Sequence, residues 1–259
     1  MKFVSGVFLS VSVLAGLWAA PCARAEDMPA PCEVPDYLVS SENALPKAAE
    51  AIKTSKSLNI LVLGSRSSTI NLISNNSEAA AYPGQMQIAL KAKLPDVAVN
   101  LSVEIQAKKT ADEVLAGLPK LMESKKPTLV IWQTGTVDAM RSVDPEEFRG
   151  AVEEGVVALQ EAGADVILIN PQYSPRTDSM ISASPYLDNL RVVAQAHDVP
   201  LFDRFAIMRG WSESGEFDLF SAVHGAELAK RVHHCLGEAL SQFIIDAARP
   251  SPPQPAQQN

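Results

Sequence analysis

Leu58-Asn-Ile-Leu-Val-Leu-Gly-Ser-Arg-Ser-Ser-Thr69 is an apolar run of strand length that ends in a glycine and a cluster of hydroxyl side chains. Similar apolar runs, rich in β-branched residues, recur at about 97–105, 128–133, 164–169 and 199–203. Helical patterns fill the gaps at about 80–94 (opened by Tyr82-Pro83), 110–124, 145–162, 184–197 and 224–246. Strand and helix in alternation give right-handed crossovers, so the expectation is an α/β domain. Its sheet is five-stranded and parallel, covered by helices on both faces. Three runs end in polar loops, at Gly64, Gln133 and Asn170. In an open α/β sheet ligands bind beyond the carboxyl ends of the strands, so these loops are expected to converge on one site.

The 259 residues, 47% hydrophobic and 20% charged, suffice for one well-buried domain. Residues 1–25 read as an export signal: Lys2 precedes the apolar stretch Phe3 to Ala20, and Ala23-Arg24-Ala25 has the small-x-small form of a cleavage site. The run is short and breaks at Pro21, so a periplasmic or secreted chain with no stable membrane insertion after cleavage is expected. Residues 26–57 form an N-terminal extension and lead-in helix, 58–248 the α/β domain, and 249–259 a Pro/Gln tail that builds no core.

The formal charge is −8; without Lys2 and Arg24 the mature chain carries 20 basic against 30 acidic side chains, a net −10. No Lys/Arg cluster offsets that repulsion, which argues against nucleic acid or an anionic membrane as a partner. Two cysteines remain after cleavage, Cys32 and Cys235. In an exported protein the even count permits a disulfide between the N-terminal extension and the last helix, the alternative being two separate buried thiols. No His/Cys spacing suggests a metal, and no Gly-rich phosphate loop suggests a nucleotide cofactor.

The strand-Gly-Ser start, the block Trp132-Gln-Thr-Gly-Thr-Val-Asp138, the loop Pro171-Gln-Tyr-Ser-Pro-Arg176 and the later Pro200-Leu-Phe-Asp-Arg-Phe205 resemble the SGNH/GDSL hydrolase superfamily. The resemblance runs from about Leu58 to Leu240. It implies a three-layer α/β/α sandwich of flavodoxin-like order, a Ser-His-Asp triad, and hydrolysis of a small-molecule or saccharide ester, with no cofactor. The family's nucleophile follows Gly by two residues, or lies in a Gly-Ser-Ser-Ser-Thr variant. Here an ungapped match puts Arg66 at that place. One inserted residue overlays Ser67-Ser68-Thr69 on Ser-Ser-Thr, making Ser67 the nucleophile and Ser65 the runner-up. A free hydroxyl needs a neighbouring base to attack. The competing role for these serines is to cap the turn that follows the strand.

By the same resemblance His224 is the base, and Gly64, Lys108, Gly135, Thr136 and Asp138 line the substrate site. Three departures stand out. Ala107-Lys108 occupies the place of a glycine whose N–H holds the oxyanion. Val137 replaces an Asn donor, a loss worth about 10²–10³ in turnover. Ser221 stands where an Asp would orient His224. The reading is therefore an ester hydrolase with a Ser-His site, or alternatively a catalytically silent binding protein that keeps the crevice.

His233 and His234 fit an amphipathic helix rather than the site, and Trp132 and Trp211 read as packing anchors. Arg176, Arg204 and Arg209 are suited to an anion in the crevice, but pairing with Asp178, Asp203 and Glu213 is favoured.

Overall fold

A computed structural model describes residues 32–70, 77–220 and 225–249. Five strands, β1 Ser57–Gly64, β2 Ala98–Ile105, β3 Leu129–Gln133, β4 Asp165–Ile169 and β5 Leu201–Phe202, form one all-parallel sheet in the order β2-β1-β3-β4-β5. The chain passes outward from β1 to β2, then returns across β1 to β3 and continues the other way. That reversal places a topological switch point between β1 and β3, where the adjoining crossovers leave on opposite faces and a crevice opens.

Side chains alternate across the sheet, and both faces are buried. Ile60, Val62, Ile131, Ile167 and Ile169 pack on one side with Tyr82, Met86 and Leu90 of helix Tyr82–Lys93. Ile207 and Trp211 of helix Arg204–Ser214 and Leu236, Leu240 and Ile244 of helix Gly225–Ala247 complete that layer. Leu61, Leu63, Val130, Trp132, Val166 and Leu168 point the other way, into helices Ala111–Leu115, Leu118–Lys125, Pro145–Glu161 and Ser184–Ala196. Each fully buried aliphatic side chain is worth about 1.5–3 kcal/mol relative to exposure, so both layers hold the sheet. The three-layer α/β/α arrangement expected from the sequence is present.

Local differences from the sequence reading have local causes. The single helix expected over 110–124 is two, Ala111–Leu115 and Leu118–Lys125. Pro119 lacks the N–H that a continuous helix would need, so it serves in the first turn of the second piece instead. The first piece is opened by a capping box, the Thr110 hydroxyl accepting from Glu113 N–H and the Glu113 carboxylate from Thr110 N–H. β5 shrinks to two residues at the sheet edge, where Pro200 contributes only its carbonyl, to Leu168 N–H. Helices Thr136–Arg141 and Arg204–Ser214 have no counterpart in the sequence reading; both are too short for their periodicity to stand out.

Cys32 and Cys235 are joined by a disulfide, with Cα atoms 5.1 Å apart, which ties the segment before the first helical turn to helix Gly225–Ala247. Among the described residues no helix is long and apolar enough to cross a membrane.

Candidate active site

β1 ends at Gly64, and the chain turns at once into the short 3-10 segment Arg66–Ser68. The tightness of that turn explains the glycine: a Cβ on Gly64 would lie 2.5 Å from Ser68 Oγ. Ser65 caps the turn, its Oγ accepting from Ser67 N–H at 3.2 Å. The turn brings Ser65 Oγ and Ser67 Oγ within 3.0 Å of each other, half-buried, while Arg66 faces solvent. Of the two candidate serines, Ser65 is thus the capping residue.

Gln133, at the end of neighbouring β3, reaches across the switch point. Its Nε2 donates to Ser65 Oγ at 2.8 Å and to Ser67 Oγ at 3.0 Å. Its Oε1 accepts from the buried Ser68 hydroxyl, which also bonds Tyr82 OH at 3.1 Å. This orientation of the amide leaves every polar side-chain atom of Gln133 partnered, as a buried amide requires.

Arg204 completes the cluster from the segment that follows edge strand β5. It is the first residue of helix Arg204–Ser214, whose N-cap Asp203 accepts from Ala206 N–H at 2.9 Å. Asn170, at the end of β4, locks that helix start by donating to Asp203 at 2.6 Å and accepting from Phe205 N–H at 2.8 Å. The Arg204 guanidinium then donates from Nη1 to Ser67 Oγ and from Nη2 to Ser67 O, both at 3.0 Å, with a further bond to Gln172 Oε1 at 3.3 Å. It lies 5.2 Å from the Tyr82 ring centroid and is only 1% exposed.

The electrostatics are lopsided. Burial pushes Arg204 down to about 10, so it stays charged at neutral pH. Burial pushes the Tyr82 phenol up, and burial together with Arg204 pushes His233 down to about 3, so both neighbours are neutral. Among the described residues no carboxylate pairs with Arg204: Asp203 is engaged by Arg191 at 3.2 Å. The pairing expected from the sequence holds for Arg209, which meets Glu213 at 2.9 Å, but not for Arg204, and Arg176 stacks over Phe220 at 5.4 Å.

Ser65 Oγ and Ser67 Oγ together receive four N–H donors, two from Gln133 and one each from Arg204 and the Ser67 backbone. Among the described residues neither hydroxyl has a carboxylate or imidazole to take its proton. The surroundings favour a negatively charged oxygen, and the base must come from elsewhere. His224, the expected base, and Ser221 lie outside the described residues.

Gly64, Ser65, Gly135, Thr136, Val137 and Asp138 line one small cavity with Gln133. The expected substrate-site residues are thus brought together, except that Lys109 rather than Lys108 lines the cavity. Lys108 sits in an exposed turn at φ 62°, its carbonyl accepting from Arg141 at 2.7 Å. Gly135 takes φ 91°, a left-handed value that favours glycine, to start helix Thr136–Arg141. Asp138 is buried and accepts from Ala111 N–H at 2.8 Å, joining this loop to helix Ala111–Leu115. Its carboxyl pKa is raised, chiefly by burial.

The model of the non-GDSL lipase-like family matches residues 31–250. The chain belongs to that family. The non-GDSL lipase-like chain also shares its fold with solved esterases and lipases. The esterase EstA of Pseudoalteromonas sp. is 19% identical with TM-score 0.50, over 68% of this chain and 93% of that one. A lipase/acylhydrolase from Enterococcus faecalis is 22% identical with TM-score 0.52, over 68% and 92%. An acetyl-xylooligosaccharide esterase from Geobacillus is 15% identical with TM-score 0.53, over 67% and 90%. No curated protein matches the chain in sequence. Gln133 and Arg204 are the residues of this non-GDSL lipase-like site that sequence reasoning does not assign. Gln133 carries a signal, the polar end of an otherwise apolar run; Arg204 carries its charge and its place in the Pro200–Phe205 segment, and the sequence reading offers it to an anion in the crevice while favouring a pair with Asp203.

Proposed function

We propose that the protein is an exported ester hydrolase that removes a short O-acyl group from a small molecule or saccharide, with Ser67 as nucleophile and His224 as base. The observation that carries this reading is the convergence of Gln133 Nε2 and Arg204 Nη1 on Ser67 Oγ at the β1/β3 switch point. Family membership and the esterase fold support the reaction class. Because one fold relative is an acetyl-xylooligosaccharide esterase from Geobacillus, an acetylated saccharide is a sensible first substrate to try. An apolar hollow beside Ser68, bounded by Ile70, Ala81, Pro83, Val103 and Ile105, suits a short acyl group.

In this mechanism the His224 imidazole takes the Ser67 hydroxyl proton as Oγ bonds to the acyl carbon, and the carbonyl π pair moves to its oxygen. Collapse expels the alcohol, which takes the proton from the imidazolium. Water then repeats the sequence on the acyl-serine, releasing the carboxylic acid and restoring Ser67. The carbonyl oxygen would face the cavity lined by Gly64, Gly135 and Thr136. The Thr136 hydroxyl, buried without a partner there, offers a donor that Val137 cannot. Export is supported by the signal-like first 25 residues and by the Cys32–Cys235 disulfide, a bond that persists in oxidising compartments.

The test is covalent labelling of the mature protein by a fluorophosphonate, with the modified residue mapped by mass spectrometry. Label on Ser67, lost in Ser67→Ala and in His224→Ala but kept in Ser65→Ala, is the expected result. Label on Ser65 would move the nucleophile. No label on either serine, with acetylated sugars bound but not cleaved, would establish the silent binding protein instead.

A further inference from the structure

We propose that Arg204 is a catalytic residue of this site: its forked guanidinium holds the Ser67 oxygen and carries the positive charge that answers the negative charge formed there during acyl transfer. The inference rests on the ester-hydrolase reading and extends it to the group that supplies the electrostatic stabilisation.

A buried guanidinium normally has a carboxylate partner, because an unpaired buried charge is costly. Arg204 is 1% exposed, its Nε is buried with no hydrogen-bond partner, and none of the described carboxylates pairs with it. Its surroundings are neutral: the Tyr82 ring, the uncharged His233 and the Gln172 amide. The most direct anion it can meet is therefore one that forms on its own hydrogen-bond acceptor. That acceptor is the reacting atom, Ser67 Oγ, at 3.0 Å from Nη1. The second arm of the fork, Nη2 to Ser67 O at 3.0 Å, fixes the distance by gripping the same residue's backbone. Planar two-point gripping is what a guanidinium provides and an ammonium does not.

Burial also decides between this role and direct recognition of an anionic substrate. A carboxylate or phosphate on a substrate would have to displace Ser67 or Gln172 to reach so enclosed a group. The charge that develops on Ser67 Oγ needs no such displacement. When the His224 imidazole removes the proton and the Oγ–carbon bond forms, electron density grows on Oγ and then on the former carbonyl oxygen. Arg204 loses no proton in this step and returns unchanged when the alcohol leaves. A donor placed in advance acts without reorganisation, and removing one such donor costs about 10²–10³ in turnover.

The experiment compares the mature wild-type chain with Arg204→Gln and Arg204→Lys. It measures fluorophosphonate labelling rate, the kcat and KM of p-nitrophenyl acetate hydrolysis, near-UV circular dichroism and melting. Arg204→Gln is expected to lower the labelling rate and kcat by about 10²-fold or more with little change in KM, and added guanidinium ion is expected to restore part of the loss. Arg204→Lys, which keeps the charge but loses the fork, is expected to fall at least about tenfold, and it carries the test if the Gln variant does not fold. A folded Gln variant, or a folded Lys variant, that labels as fast as wild type or faster overturns the proposal. A wild-type chain that neither labels nor hydrolyses ester overturns the esterase reading and this one together. Wild-type labelling with indifferent Arg204 variants sinks only the role of Arg204.

Discussion

His233 Nδ1 accepts the backbone N–H of Tyr82 at 2.9 Å, so a side chain from helix Gly225–Ala247 satisfies the first free donor of helix Tyr82–Lys93. The bond fixes the neutral imidazole with its proton on Nε2, since Nδ1 must present a lone pair. Protonation would turn that acceptor into a donor facing another donor, in a buried place beside Arg204.

That relationship makes a pH prediction. Burial and Arg204 push His233 from 6.5 to about 3, so between those values the unfolded chain binds more protons than the folded one. The stabilisation is complete above pH 6.5 and is lost as pH falls towards 3. The slope contributed by this one residue approaches about 1.4 kcal/mol per pH unit. The buried carboxyls Asp138 and Asp165, whose pKa values burial raises, act with the opposite sign, so the comparison must be with a variant. Urea unfolding from pH 7 to pH 4 is expected to show a flatter stability profile for His233→Gln than for wild type. Parallel profiles would remove His233 as the source.

Asp138 is expected to be a structural carboxylate whose charge is dispensable. Its Oδ1 holds Ala111 N–H, while Oδ2 is buried without a partner. Asp138→Asn keeps the acceptor and removes an expensive charge, so its stability at neutral pH should stay near wild type or rise. Asp138→Ala strands the Ala111 N–H and should cost about 1–3 kcal/mol. Equal losses in the two variants, by urea titration, would show that the charge itself matters.

The Cys32–Cys235 bond closes a loop with a sequence separation of 203. Cross-links over long loops chiefly restrict the unfolded chain, and removal of a native one typically costs about 2–5 kcal/mol. Cys32→Ser should lower the melting temperature, and a reducing agent should lower that of wild type but not of the variant. Identical melting of the oxidised and reduced wild type would show the bond to be stabilising nothing.

Val137 lines the same cavity as Ser65 and Gly135, so a donor at that position would face the proposed oxyanion. Val137→Asn should raise kcat for a short aryl ester by up to about 10²-fold, with KM little changed. Pairing it with Ser221→Asp tests whether an acid can be restored to His224. A faster Val137→Asn enzyme whose gain disappears in Ser67→Ala would tie the effect to this site; an unchanged rate would mean that Thr136 already fills the role.

The apolar runs ending at Gly64, Gln133 and Ile169 settle the parallel sheet from sequence alone. Strand-length stretches buried on both faces need helices on both sides, and the intervening patterns supply them. The serine cluster after β1 and the family resemblance likewise point to the carboxyl end of that strand. What local sequence cannot carry is the identity of partners separated by many residues. Ser67 meets Arg204 across a sequence separation of 137, and Gln133 across 66. The sequence reading pairs Arg204 with its neighbours because opposite charges close in sequence are the commonest partners. Packing instead turns it inward: Asp203 is occupied by its helix cap, Asn170 and Arg191, leaving the guanidinium to Ser67 and the Tyr82 face. Strands are written in local hydrophobicity, but the neutralisation of a buried charge depends on which side chains the closed fold leaves free.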